Sequence, residues 1–95
     1  MIDIDLLRAY IYGDILHEIH RQDEKWGIQS HDFPTWVTIL GEEFGEACQE
    51  VLNIKNAENL ELMIDSKKRL DEELVQVIAV CFRIIEKIRY KNANS

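Results

Sequence analysis

The chain has no apolar run of eighteen or more residues, and no basic opening that leads into an apolar stretch with a small-residue cleavage site. A membrane span and a secretory signal are therefore not expected, and a cytoplasmic protein is. Basic residues are in the minority, with 11 Lys and Arg against 18 Asp and Glu and a formal net charge of -7. This argues against a nucleic-acid polymer as main partner, because counterion release needs a basic face. It leaves nucleotides open, since their phosphates can be neutralised by a metal held in carboxylates. Proline occurs once and glycine four times, too sparsely for a disordered chain. There are only two cysteines. Cys48 and Cys81 both fall in apolar helical stripes and read as reduced core residues. His17, His20 and His31 lack zinc-like spacing with them.

β-branched alternation is also scarce, and helical periodicity takes its place in three segments. The first runs from about Asp3 to Glu24, with Leu7, Ile11, Ile15 and Ile19 recurring every four residues. Gly13 interrupts it and suggests a close helix contact or a bend. A loop from Lys25 to Phe33 ends at Pro34, where Asp32 or a neighbour is placed to cap the second helix. That helix extends to about Lys55, and a short turn is expected over Ala57–Met63. Asp65 or Ser66 then reads as the cap of a third helix reaching about Tyr90, followed by a polar tail, Lys91–Ser95, expected to fray. The expected fold is one all-α domain over 1–95: an antiparallel helical bundle of three main helices. At 95 residues the core is modest. The broad stripes leave apolar surface for a second copy, so a four-helix-bundle-like core completed by oligomerisation is expected.

Acidic side chains are where the pattern turns chemical. Helix two carries Glu42, Glu43, Glu46 and Glu50; helix three carries Asp71, Glu72, Glu73 and then Gln76. Most such clusters are solvated faces, but phase separates these residues. At about 100° per residue, with Glu43 at zero, Trp36 and Ile54 lie at about +20° and Ile39 at about −40°. With Glu73 at zero on helix three, Val80 falls at about −20° and Ile84 at about +20°. Both carboxylates thus sit inside apolar stripes. Glu46 and Gln76 share the flank at about −60°, with Glu42 and Glu72 further out at about −100°. Two buried carboxylates facing each other repel unless something positive lies between them. A hard divalent cation is the simplest solution; a salt bridge to Arg83 or Arg21, and a solvated acidic face, are the alternatives.

These residues resemble a known pattern. The all-α nucleotide pyrophosphohydrolases of the MazG-like family, with relatives among dimeric dUTPases, share ExxE, a gap, then ExxD. Glu43-Phe-Gly-Glu46 is similar to the first half and Glu73-Leu-Val-Gln76 to the second. The run from Arg21 through Lys25-Trp26-Gly27 to His31, followed by Trp36, resembles a compact subgroup often carried by phages and bacteria. The likeness covers roughly residues 18–86. One departure matters: Gln76 stands where the family has Asp, and an amide oxygen brings no charge to a metal.

The resemblance implies hydrolysis of a nucleoside triphosphate to the monophosphate and pyrophosphate. It implies Mg²⁺, or Mn²⁺, on Glu43, Glu46, Glu73 and Gln76, with Glu42 as general base. Lys25 and Arg21 would meet phosphate charge. Trp26 or Trp36 would stack on a base, and Gln29 or His31 would read its edge or bind phosphate. Each has a plainer reading: Trp36 as core, Trp26 as a loop aromatic closing the bundle, Lys25 as surface, His31 as a hydrogen-bonding residue near the helix start. Self-association as a homodimer or homotetramer is expected. A nucleotide- or metal-binding module without catalysis, and a purely structural bundle, are the other functions the sequence allows.

Overall fold

A computed structural model describes residues 1–27 and 29–90. It contains three helices, α1 (Ile4–Trp26), α2 (Phe33–Lys55) and α3 (Leu60–Arg89), and no strand among the described residues. The all-α bundle expected from periodicity is what forms.

Each helix starts on a short polar side chain that satisfies free N–H groups. The Asp3 carboxylate accepts from the backbone of Asp5 at 3.0 Å and of Leu6 at 3.3 Å. Asp32 accepts from Thr35 at 2.9 Å, with Pro34 in the first turn of α2. Such caps contribute about 1 kcal/mol each. That bond also holds the Asp32 carboxyl below its usual range. Helix α1 ends where Gly27 turns to φ 72°, a conformation that costs a residue with a Cβ. Its N–H reaches back to the Asp23 carbonyl at 2.8 Å. The stop is thus set by the glycine, so Lys25 and Trp26 belong to the last helical turn and not to the loop.

Two expectations along the chain need correction. Helix α3 begins at Leu60, not near Asp65 or Ser66, and the separate turn over Ala57–Met63 does not form. Asn59 is the cap, its side chain accepting from Leu62 at 2.9 Å. Ser66 is instead buried inside the helix, where Arg69 donates to its hydroxyl at 3.1 Å. Gly13 makes no close helix contact either: a Cβ there would meet nothing within 4 Å. The tail Lys91–Ser95 lies outside the described residues.

Side-chain pairs give the packing. Glu50 meets Arg69, and Lys87 lies over the Phe33 ring, so α2 and α3 run antiparallel in one steady register. Helix α1 packs on α3 only and runs in the same sense, since Gln22 meets Gln76 and Asp23 meets Arg83. Ile15, Ile19 and Ala79 form the core of that contact, with Val75 and Phe82 against it. Arg83 ties the end of α1 down, donating to the Asp23 carboxylate at 2.6 Å and to the Ile19 carbonyl at 3.1 Å. The deeply buried set is small and includes Trp36, Ala47 and Val80. Cys81 is half-buried, but Cys48 is exposed, against the expectation that both are core residues. No described helix is long and apolar enough to cross a membrane.

Candidate metal centre

The apolar stripes of α2 and α3 bring their helices together, and the carboxylates set into them come along. Glu43, Glu46 and Glu73 each place one oxygen so that all three lie within 4.8 Å of one another. This convergence across the two helices is what the phase argument required. Glu43 and Glu73 are half-buried and Glu46 is exposed, so the cluster opens on the flank that Glu46 occupies.

Electrostatics make the cluster unfavourable as it stands. Burial raises the Glu73 carboxyl to about 7, and the neighbouring Glu46 and Glu43 add to the shift. Its Oε2 is buried without a hydrogen-bond partner, apart from the carboxylates themselves. Glu43 is also raised, first by burial and then by Glu46, while its hydrogen bond with Glu73 works the other way. Without a cation, protonation of Glu73 relieves this repulsion.

No cation among the described residues does that work. Among the described residues the ion pairs are Arg8–Asp5, Arg21–Glu18, Arg69–Glu50 and Arg83–Asp23. The salt-bridge alternative therefore fails for Arg21 and Arg83, which are committed elsewhere. Arg69 stands one turn from Glu73 but spends its guanidinium on Glu50, at 3.2 Å to both oxygens, and on Ser66. Glu50 is lowered in turn, first by Asn53 and then by Arg69. A set of hard carboxylate oxygens with one orphaned atom, and no counter-charge among the described residues, fits a divalent cation such as Mg²⁺.

Gln76 is held differently from its neighbours. Its amide oxygen accepts from Gln22 at 2.8 Å, and Gln22 donates also to Glu18 at 2.8 Å. Gln76 hydrogen-bonds Glu18 as well. Glu18 is gripped by Arg21 through both oxygens, at 2.9 and 2.8 Å, which is the main reason its carboxyl is lowered. The amide at position 76 thus joins α3 to α1. The Glu18 charge adds to what raises Glu43, so α1 brings a fourth carboxylate toward the cluster. Sequence reasoning missed Glu18 and Gln22. Their signal was the spacing of Glu18, Arg21 and Gln22 beside the apolar Ile15 and Ile19.

The remaining candidates spread along the molecule. Glu42 is exposed one position from Glu43. Trp36 is 6% exposed and belongs to the core, where His31 meets its ring edge-on at 4.8 Å; the plainer reading of Trp36 fits its burial. His31 also contacts Gln29 at 3.3 Å. Lys25 lies over the exposed Trp26 ring at 4.6 Å, forming a cation–aromatic pair at the end of α1. A cleft between α1 and α3, about 360 Å³, is lined by His17, Glu18, Glu72 and Gln76 among others.

Comparison with family models, with curated proteins and with solved structures returned no match.

Proposed function

We propose that the chain is a Mg²⁺-dependent nucleoside triphosphate pyrophosphohydrolase of the MazG-like kind, converting an NTP or dNTP and water to the monophosphate and pyrophosphate. Its setting is cytoplasmic and its working form a homo-oligomer, dimer or tetramer. The observation that carries this reading is the convergence of Glu43, Glu46 and Glu73, with no ion pair to them among the described residues. When bound, Mg²⁺, or Mn²⁺ in its place, supplies charge neutralisation for phosphate oxygens and lowers the pKa of a water.

The chain's own residues then divide the remaining work. Glu43, Glu46 and Glu73 hold the ion. Glu42, exposed beside them, accepts the proton of the attacking water. Lys25 offers a donor to phosphate, as does Arg21 through the guanidinium nitrogen that Glu18 does not engage, and Gln29 or His31 offers one to base or phosphate. Trp26 is favoured over Trp36 for stacking, because its ring is 56% exposed.

The second reading, a nucleotide- or metal-binding module without turnover, draws on one observation. The Gln76 amide oxygen is taken by Gln22, which leaves three carboxylates for the ion. Pyrophosphate release from a panel of ribo- and deoxyribonucleoside triphosphates, with Mg²⁺ or Mn²⁺, tests the two against each other. Metal-dependent release lost in both Glu43→Gln and Glu73→Gln supports the enzyme. No release, with the metal still raising the melting temperature, supports the module.

A further inference from the structure

Helix α1 brings one acid to the carboxylate cluster that the proposed chemistry does not use. Glu18 sits at the junction of α1 and α3, and its side chain is 13% exposed. Two amides aim donors at it, one from each helix. Gln22 divides its amide nitrogen between Glu18 and the Gln76 oxygen, at 2.8 Å each. Gln76, with that oxygen taken, has its own amide nitrogen left to donate, and it hydrogen-bonds Glu18. Gln76 stands three residues after Glu73 on α3, so its side chain neighbours that of Glu73 along the helix. Glu18 is thus one amide removed from the cluster.

A carboxylate this covered is costly unless its charge is paired or used. Arg21 pairs it through both oxygens, but the Arg21 side chain is 45% exposed, so water screens the guanidinium more than the acid. Toward α3, Glu18 meets a neutral amide. Its charge is felt as far as Glu43 on α2. Other acids line the same cleft between α1 and α3, but Asp14, Asp71 and Glu72 are exposed and solvated. Glu18 alone among these four is both covered and tied to the neighbour of a cluster residue.

We infer that Glu18 supplies from α1 a fourth negative charge to the ion site, set in place by Gln22 and Gln76. It acts as a positioned charge outside the three carboxylates that would hold the ion, and the hydrogen bonds across the α1–α3 contact fix its place. The inference rests on the metal reading above. It gives the contact between α1 and α3 a part in ion affinity, where a plain latch would contribute to stability alone.

Calorimetric titration of the full chain with Mg²⁺ or Mn²⁺ alone, without nucleotide, tests it. Glu18→Gln keeps the size and hydrogen-bonding reach of the side chain, and weakens the ion by about tenfold or more, the scale of losing an outer partner of a metal site. Glu18→Gln combined with Gln76→Asp moves the charge across the junction and recovers the affinity. Arg21→Gln unscreens Glu18 and tightens the ion, where loss of a mere latch would not; if Glu18→Gln fails to fold, this variant decides. Hydrogen exchange across α1 reads the latch separately. Wild-type affinity in Glu18→Gln, with faster exchange in α1, overturns the inference, and so does a double variant as weak as the single one. No binding by the wild type, or binding that Glu73→Gln leaves intact, overturns the metal reading and this inference with it. Binding lost in Glu73→Gln and kept in Glu18→Gln overturns this inference alone.

Discussion

The two flanks of the α2–α3 hairpin are built from the same two helices, about half a turn apart in phase, and differ in nearly every side chain. One carries Glu42, Glu46, Glu50 and Glu72, with Arg69 and Gln76 among them; the other carries Val37, Phe44, Val51, Leu74, Ile78 and Ile85. Helix α1 reaches the first through Glu18 and Gln22 and leaves most of the second bare. Burial means different things on the two sides. On the apolar flank, exclusion of water stabilises at about 25 cal/mol per Å². On the acidic flank, the same exclusion raises Glu73 to about 7 and creates a demand for positive charge. One helix pair thus has a side where excluding water is favourable and a side where it sets carboxylates against one another.

Substitutions can break that comparison from the acidic side first. Glu73→Gln should lower metal-dependent turnover by two or more orders of magnitude, roughly the scale of losing a preorganised electrostatic contact. The same change should raise the melting temperature of the metal-free chain above pH 7, because a repelling charge is gone. Pyrophosphate release and thermal melting with chelator read the two effects. A variant that loses stability without metal would show that Glu73 is not under repulsion.

Arg83→Met tests whether α1 is held independently of the hairpin. The pair is partly buried, with side chains 12% and 29% exposed, so about 2–3 kcal/mol is expected, below the full cost of breaking a deeply buried pair. Hydrogen exchange should quicken across α1 while α2 and α3 keep their protection. Uniform loss across all three helices would mean that α1 and the hairpin fold as one unit.

A subtler effect is the pH dependence. Glu73 binds its proton up to about 7 in the folded chain, against an ordinary value of 4.5, and Glu43 is shifted the same way. The folded state therefore holds more protons than the unfolded one between these values, so metal-free stability falls as pH rises from 4.5 to about 7. Saturating Mg²⁺ should flatten that slope, and so should Glu73→Gln in large part. Melting curves across the window, with and without chelator, give the answer.

Gln76→Asp carries the smallest expected change. A carboxylate there would face Glu18 across the α1 contact, costing about 1 kcal/mol without metal. It would also bring the charge that the wider pattern places at this position, so Mg²⁺ should recover more stability than in the wild type. Titration calorimetry of Mg²⁺ beside a denaturant midpoint separates the two. Tighter metal with undisturbed α1 would mean that the Glu18–Gln22–Gln76 contact is dispensable.

The existence and order of the helices were legible because period-3.6 stripes are strong over twenty residues, and Asp32 before Pro34 is a clear start signal. The pairing of Glu43 with Glu73 was legible for the same reason: a carboxylate inside a stripe goes where the stripe goes. The start of α3 was not. Asn59, Asp65 and Ser66 are all good caps by type, and only packing against α2 decides that Ser66 is buried in mid-helix. Nor could periodicity tell that α1 would choose α3 alone. That choice rests on Arg83 reaching Asp23 and Ile19, and on Gln22 reaching Gln76, contacts separated by 54 to 64 positions in the chain. Cys48 was misjudged as core because its stripe is wide enough to wrap past the buried face.

Those separations set an order of assembly. Helix α2 needs only the residues between Lys55 and Leu60 to fold back on α3, a short loop with little closure entropy. Helix α1 must wait for residues from Gln76 to Arg83 before its hydrogen bonds to α3 can form. Made before α2 and α3, it is the last of the three to find its place. Its apolar stripe stays without its α3 partner until those later residues are made.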